Sequence, residues 1–149
     1  DVPYCVLGGT ALAEGRGEVL TPLAPLPRCT VVVCKPNFSI STPELFRQLD
    51  SVKLRRRPDT AGIISALEAG DLEGVARRLY NVFEDVFPSR RAVEITGIKN
   101  TLIQHGALGA CMSGTGPTVF GLFPEGDCAR RAYEDLSQTY RETFLTKSI

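Results

Sequence analysis

The sequence predicts an α+β fold, a two-layer sandwich in which helices cover one face of an antiparallel sheet. Three observations predict it. Thr30–Cys34 is a β-branched, apolar run with the composition of a buried strand. From Asp71 onward Leu72, Val75, Ala76, Leu79, Tyr80 and Phe83 recur at three- and four-residue steps, which marks the buried face of a helix. Leu108–Met112 and Thr118–Phe123 are two short apolar runs on either side of a Gly/Ser/Thr-rich loop, the pattern of two strands and their connection.

The elements follow in order. Strand-like stretches precede Thr21-Pro22-Leu23-Ala24-Pro25-Leu26-Pro27, a proline-rich connector that can neither continue a helix nor sit in a central strand. Pro36 ends the strand that starts at Thr30. Thr42-Pro43-Glu44 predicts a helix start, with the Thr42 hydroxyl at the cap, proline in the first turn and a carboxylate near the positive end of the dipole; the helix runs to about Leu49. Asp59-Thr60 opens a second helix that Gly70 ends, and the periodic segment from Asp71 reads as the clearest helix of the chain. Ser89 opens another, with Ile95, Ile98 and Leu102 on one side and Gly106 at its end. After the two strands around the loop, Ala129, Ala132, Tyr133 and Leu136 predict a helix, and Phe144–Ser148 a last strand.

Composition narrows the function classes. A chain of 149 residues with 43% hydrophobic side chains can bury one core, with at most a smaller lobe attached. Its 17 basic and 17 acidic side chains cancel, so no global field favours nucleic acid or an anionic membrane. No apolar run approaches the roughly 20 residues that a membrane span needs, and the chain reads as cytoplasmic. Cys5, Cys29, Cys34, Cys111 and Cys128 form no Cys-x-x-Cys pair, and His105 is the one histidine, so a zinc site is poorly supported and most of the cysteines read as small core residues in a reducing compartment.

The segment Met112-Ser113-Gly114-Thr115-Gly116-Pro117-Thr118 carries the strongest chemical signal. Its glycines allow positive φ and close approach to a phosphate, while Ser113, Thr115 and Thr118 add hydroxyl donors. Taken alone, the pattern is weak and reads first as a tight β-hairpin, which also selects Gly and Thr. Phe46 lies one helical turn beyond Thr42, so both fall on one side of the short helix, where an aromatic face could stack on a base; Phe46 as a core residue is the other reading. Lys53, Arg55, Arg56 and Arg57 could meet phosphates or form a solvated loop, and His105 suits the negative end of a helix dipole.

Three blocks together carry a resemblance: Asp1-Val2-Pro3 followed by the glycines at 8, 9, 15 and 17; Lys35-Pro36-Asn37-Phe38-Ser39-Ile40-Ser41-Thr42-Pro43-Glu44-Leu45-Phe46; and the loop from Met112. In order and spacing they resemble the C-terminal half of the 4-diphosphocytidyl-2-C-methyl-D-erythritol kinase family, within the small-molecule kinases named for galactose, homoserine, mevalonate and phosphomevalonate. The resemblance spans essentially the whole chain. It implies a ferredoxin-like domain at residues 28–149, with residues 1–27 a remnant of the N-terminal kinase domain and its connector. It casts Asp1 as the catalytic base on the substrate hydroxyl, Thr42 and Phe46 as contacts of the cytidyl diphosphate substrate, and Ser113, Gly114, Thr115 and Gly116 as support for the nucleotide loop. The early glycines become turns beneath the substrate cleft. ATP and Mg2+ are the implied cofactors, bound mainly by an N-terminal half, so that the chain alone is expected to be a fragment without activity and prone to self-association. The rival expectations are a non-catalytic ferredoxin-like module that binds a small ligand or a partner, and a kinase of the same superfamily acting on another alcohol.

Overall fold

The computed structural model describes residues 2–54 and 56–149. Its centre is a four-stranded antiparallel sheet in the order β4-β5-β3-β6, built from β3 (Thr30–Lys35), β4 (Gly109–Met112), β5 (Val119–Phe123) and β6 (Glu142–Lys147). Val32 lies opposite Gly121 on one side and Leu145 on the other, and Thr30–Cys34 of β3 are paired along both edges. Between β3 and β4 run α2 (Thr42–Asp50), α3 (Thr60–Glu68), α4 (Leu72–Arg77), a 3-10 turn (Val82–Val86) and α5 (Ser89–Gln104); α6 (Gly126–Ser137) joins β5 to β6. Strand, helices, strand, strand, helix, strand in this order is the ferredoxin-like arrangement.

Period-two alternation assigns each strand two faces. Val32, Cys34, Val119 and Phe123 point to one face, where Ile98 and Leu102 of α5 and Ala129, Ala132 and Leu136 of α6 complete the main core. Gly121 packs closely there: a Cβ would stand 3.2 Å from a methyl of Leu102, which would have to shift by a few tenths of an ångström. Val31, Phe120 and Leu122 point the other way, to a smaller cluster with Leu72, Ala76 and Leu79. The second face is thus partly covered as well, at its β4–β5 end: α4 lies so near that any Cβ at Gly109 would run into the Ala76 carbonyl oxygen. At the other end it stays open, and Phe144 of β6 is 57% exposed.

Two expectations change. The stretch ahead of the connector is not all strand: α1 (Val2–Leu7) is a short helix with no buried residue, followed by the hairpin β1 (Ala11–Glu14) and β2 (Val19–Pro22). The helix expected from Asp71 through Phe83 stops at Arg77. Its apolar positions are buried (Val75, Ala76) or half-buried (Leu72, Leu79, Tyr80, Phe83), but Asn81 is extended at φ −126°, ψ 114°, and its side chain accepts a hydrogen bond from Phe83 N–H to start a separate 3-10 turn. Asn competes well for backbone groups at helix starts and poorly inside helices, so the periodicity survives while the helix does not.

Helices α3 and α5 keep their expected signals. Asp59 caps α3 by accepting from Gly62 N–H and pairs with Arg78; the first of these, more than the second, holds its carboxyl below the usual range. Gly70 and Gly106 follow α3 and α5 at φ +65° and +98°, conformations that glycine adopts without strain.

Candidate active site

The site lies where the start of α2 meets the β4–β5 connection. Ser41 is extended before α2, Pro43 occupies its first turn, where a missing N–H costs nothing, and Glu44 lies near the positive end of its dipole. Leu45, 1% exposed, pins the helix to the core. Residues one position away on either side are thereby turned outward, which leaves Phe46 49% exposed. Thr42 is the first residue of the helix and not its cap, a correction to the expectation from sequence: Ser41 holds the cap position, without a side-chain hydrogen bond. The Thr42 hydroxyl is free for another partner and lies 2.9 Å from the hydroxyl of Thr115.

That contact joins two of the three predicted segments. Ser113–Thr118 is the turn of the β4–β5 hairpin, closed by hydrogen bonds from Ser113 N–H to the Thr118 carbonyl (2.8 Å) and from Gly116 N–H to the Ser113 carbonyl (2.9 Å). Gly114 and Gly116 take φ +54° and +78°, which explains glycine at both positions. Ser113 and Gly114 are exposed, and Thr115 half-buried against α2. Asp1, the third predicted component, lies outside the described residues, as does Arg55.

Phe46 is not a core residue. Its ring meets the edge of Phe83 at 4.9 Å between centroids and 80° between planes, leaving the remaining surface to solvent. Phe83 belongs to the 3-10 turn, and this turn is the part of the site that sequence reasoning missed. Asn81 donates to the carbonyls of Met112 (2.7 Å) and Gly114 (2.8 Å), while Glu84 accepts from Met112 N–H at 2.8 Å and pairs with Lys99. The signal available in the sequence was an asparagine, a poor helix former, in the middle of the periodic run.

Cys111 lies just before the loop, and burial, followed by the neighbouring Glu84 carboxylate, pushes its thiol up to about 12. The thiolate that nucleophilic chemistry needs is therefore suppressed at neutral pH. Of the basic run, Arg56 stacks on the Tyr80 ring at 4.7 Å, and Tyr80 donates to Asp85 at 2.6 Å. His105 lies just beyond α5, 2.9 Å from the Asp135 carboxylate, at the far end of that helix from the 3-10 turn. Among the described residues no three His, Cys, Asp or Glu side chains gather as a metal site, and no helix is long and apolar enough to cross a membrane.

The chain belongs to the family GHMP kinases C terminal, whose family model matches residues 63–142, and its antiparallel ferredoxin-like sheet with a glycine hairpin beside α2 is thus a domain of that class of small-molecule kinases. It is 45% identical, over 99% of its length, to a 4-diphosphocytidyl-2-C-methyl-D-erythritol kinase of Alkaliphilus metalliredigens (strain QYMF), of which it covers 50%. Among solved structures it resembles a 4-(cytidine 5'-diphospho)-2C-methyl-D-erythritol kinase with TM-score 0.80 at 31% identity, covering 99% of this chain and 52% of that one. A homoserine kinase from Cytophaga hutchinsonii shares the fold, with TM-score 0.76 at 19% identity over 100% of this chain and 50% of that one. The chain therefore spans about half the length of the relatives it matches.

Proposed function

We propose that this chain is the C-terminal, substrate-binding half of a kinase that transfers the γ-phosphate of ATP to the 2-hydroxyl of 4-diphosphocytidyl-2-C-methyl-D-erythritol, a step of non-mevalonate isoprenoid biosynthesis in the cytoplasm. The observation that carries it is the contact between Thr42 and Thr115, which places the exposed ring of Phe46 and the glycine hairpin side by side. The 45% identity over 99% of the chain to a kinase of that name supports the same substrate.

In this reading residues 28–149 form the substrate domain and residues 1–27 belong with the preceding kinase domain. The Phe46 ring stacks on the cytosine and Thr42 contacts the substrate beside it. Ser113–Gly116 shapes the edge of the phosphate site, where little covalent help is needed and positioning does most of the work. Asp1 takes the proton of the attacking hydroxyl as its oxygen bonds to the γ-phosphorus and ADP leaves. Mg2+ neutralises phosphate charge in such reactions. In this reading it is bound together with ATP, mainly through an N-terminal half that is the partner of this chain.

A chimera tests the proposal: the N-terminal half of the Alkaliphilus metalliredigens relative joined to this chain. We expect ATP-dependent phosphorylation of the cytidyl substrate by the chimera and no turnover by the 149-residue chain alone. A folded chimera that binds ATP yet leaves this substrate untouched, or prefers mevalonate or homoserine, overturns it.

Phe46→Ala in the chimera is expected to raise KM for the cytidyl substrate roughly 5- to 150-fold, the equivalent of about 1–3 kcal/mol of base stacking. The fold should be unaffected because half of the ring is already in solvent, and Phe46→Tyr should restore KM. Steady-state kinetics with unchanged KM in the alanine variant would return Phe46 to a structural role.

A further inference from the structure

One side chain closes a ring of contacts around the site. Asn81 Nδ2 has two hydrogens and uses both, one on the Met112 carbonyl at 2.7 Å and one on the Gly114 carbonyl at 2.8 Å. Its Oδ1 accepts from Phe83 N–H at 3.0 Å. From Gly114 the path runs to Thr115, across the hydroxyl contact to Thr42, along one turn of α2 to Phe46, and through the edge-on ring contact to Phe83, which Asn81 itself holds. Each of the two functional surfaces, glycine loop and aromatic ledge, is tied to the same amide.

We propose that Asn81 is a positioning residue for phosphoryl transfer, setting the shape of the Ser113–Gly116 loop and its spacing from Phe46; this rests on the kinase reading. The residue type follows from the bonds. Two donors and an acceptor on one short side chain require a carboxamide. Aspartate keeps the length but donates nothing and turns its charge toward two carbonyl oxygens. Glutamine has the right groups one methylene too far out, and alanine has none. The assignment of nitrogen and oxygen is dictated by the partners, since two are carbonyls and the third is an N–H.

Glu84 completes the grip from the same 3-10 turn. Its Oε1 accepts from Met112 N–H at 2.8 Å, so the peptide groups of Met112 are held on both sides, N–H by Glu84 and C=O by Asn81. The loop's own two backbone hydrogen bonds close the hairpin but do not fix it relative to α2; the ring through Asn81 does.

The test compares wild type with Asn81→Asp and Asn81→Ala. Asn81→Asp is the sharper variant because it can still accept from Phe83 N–H and so keeps the 3-10 turn capped; should Asn81→Ala fail to fold, it carries the test. By hydrogen exchange with mass spectrometry, we expect peptides covering residues 113–118 to exchange at least about tenfold faster in Asn81→Asp, while β3 and β5 keep their protection. In the chimera we expect kcat to fall at least about tenfold and KM for the cytidyl substrate to move less than about threefold, a split that general destabilisation does not produce. Unchanged exchange at 113–118, or a loosened loop with kcat unchanged, overturns the proposal. A wild-type chimera without turnover overturns the kinase reading instead, and the exchange result then decides by itself whether Asn81 holds the loop.

Discussion

Asp1→Asn in the chimera is expected to lower kcat by roughly 10²- to 10⁴-fold, the range that a positioned general base contributes. The substitution keeps the size of the side chain and its ability to hydrogen-bond a hydroxyl, and removes its capacity to take the proton. KM for the cytidyl substrate should therefore move by less than about threefold, because the ground-state contact survives. The two site substitutions then separate by kind: Phe46→Ala acts on KM, Asp1→Asn on kcat. The assignment of Asp1 comes from its resemblance to the Asp-Val-Pro block of the kinases, and steady-state kinetics of the variant decide it. A kcat within about threefold of wild type would remove Asp1 from the reaction and leave positioning of the phosphates as the main contribution.

Phe123→Ala is expected to cost about 3–5 kcal/mol of folding stability, as removal of a buried aromatic ring generally does. Phe123 is fully buried in the main core at the end of β5, opposite Thr30 of β3. Its ring is buried in the same cluster as Ile98 and Leu102 of α5 and Ala129, Ala132 and Leu136 of α6. Domains of this size have about 5–15 kcal/mol in hand, so the variant should unfold at much lower urea concentration with an unchanged m-value. Phe144→Ala, on the open part of the second face, is the contrasting case and should shift stability by about 0.5 kcal/mol or less. A loss below about 1 kcal/mol for Phe123→Ala would mean that the core is not organised around that ring.

Strong local signals were legible in the sequence. The β-branched run at Thr30, the helix starts at Asp59 and Asp71, and the terminating glycines at 70 and 106 all act within a few residues, and the structure keeps each of them. The hairpin from Met112 was legible for the same reason, since Gly114 and Gly116 are needed by the turn itself. What escaped was tertiary. Asn81 within the periodic run is a local hint that the helix breaks, but nothing local says that its side chain reaches Met112 and Gly114, more than thirty residues away. The Thr42 hydroxyl was likewise read as a cap because a cap is the local use of a threonine there, whereas its partner is Thr115, 73 residues along the chain. For the site, the segments were legible and their wiring was not.

The central strand has a consequence for how the protein is made. Thr30 pairs with Phe123 on one side and with Lys147 on the other, so both neighbours of β3 are synthesised long after it. While the helices between β3 and β4 form from nearby residues, β3 leaves the ribosome as an apolar ribbon with two bare hydrogen-bonding edges, the state in which strands pair with the wrong chain. The sheet can be completed only as a late step, when β6 closes the last open edge of a strand made among the first.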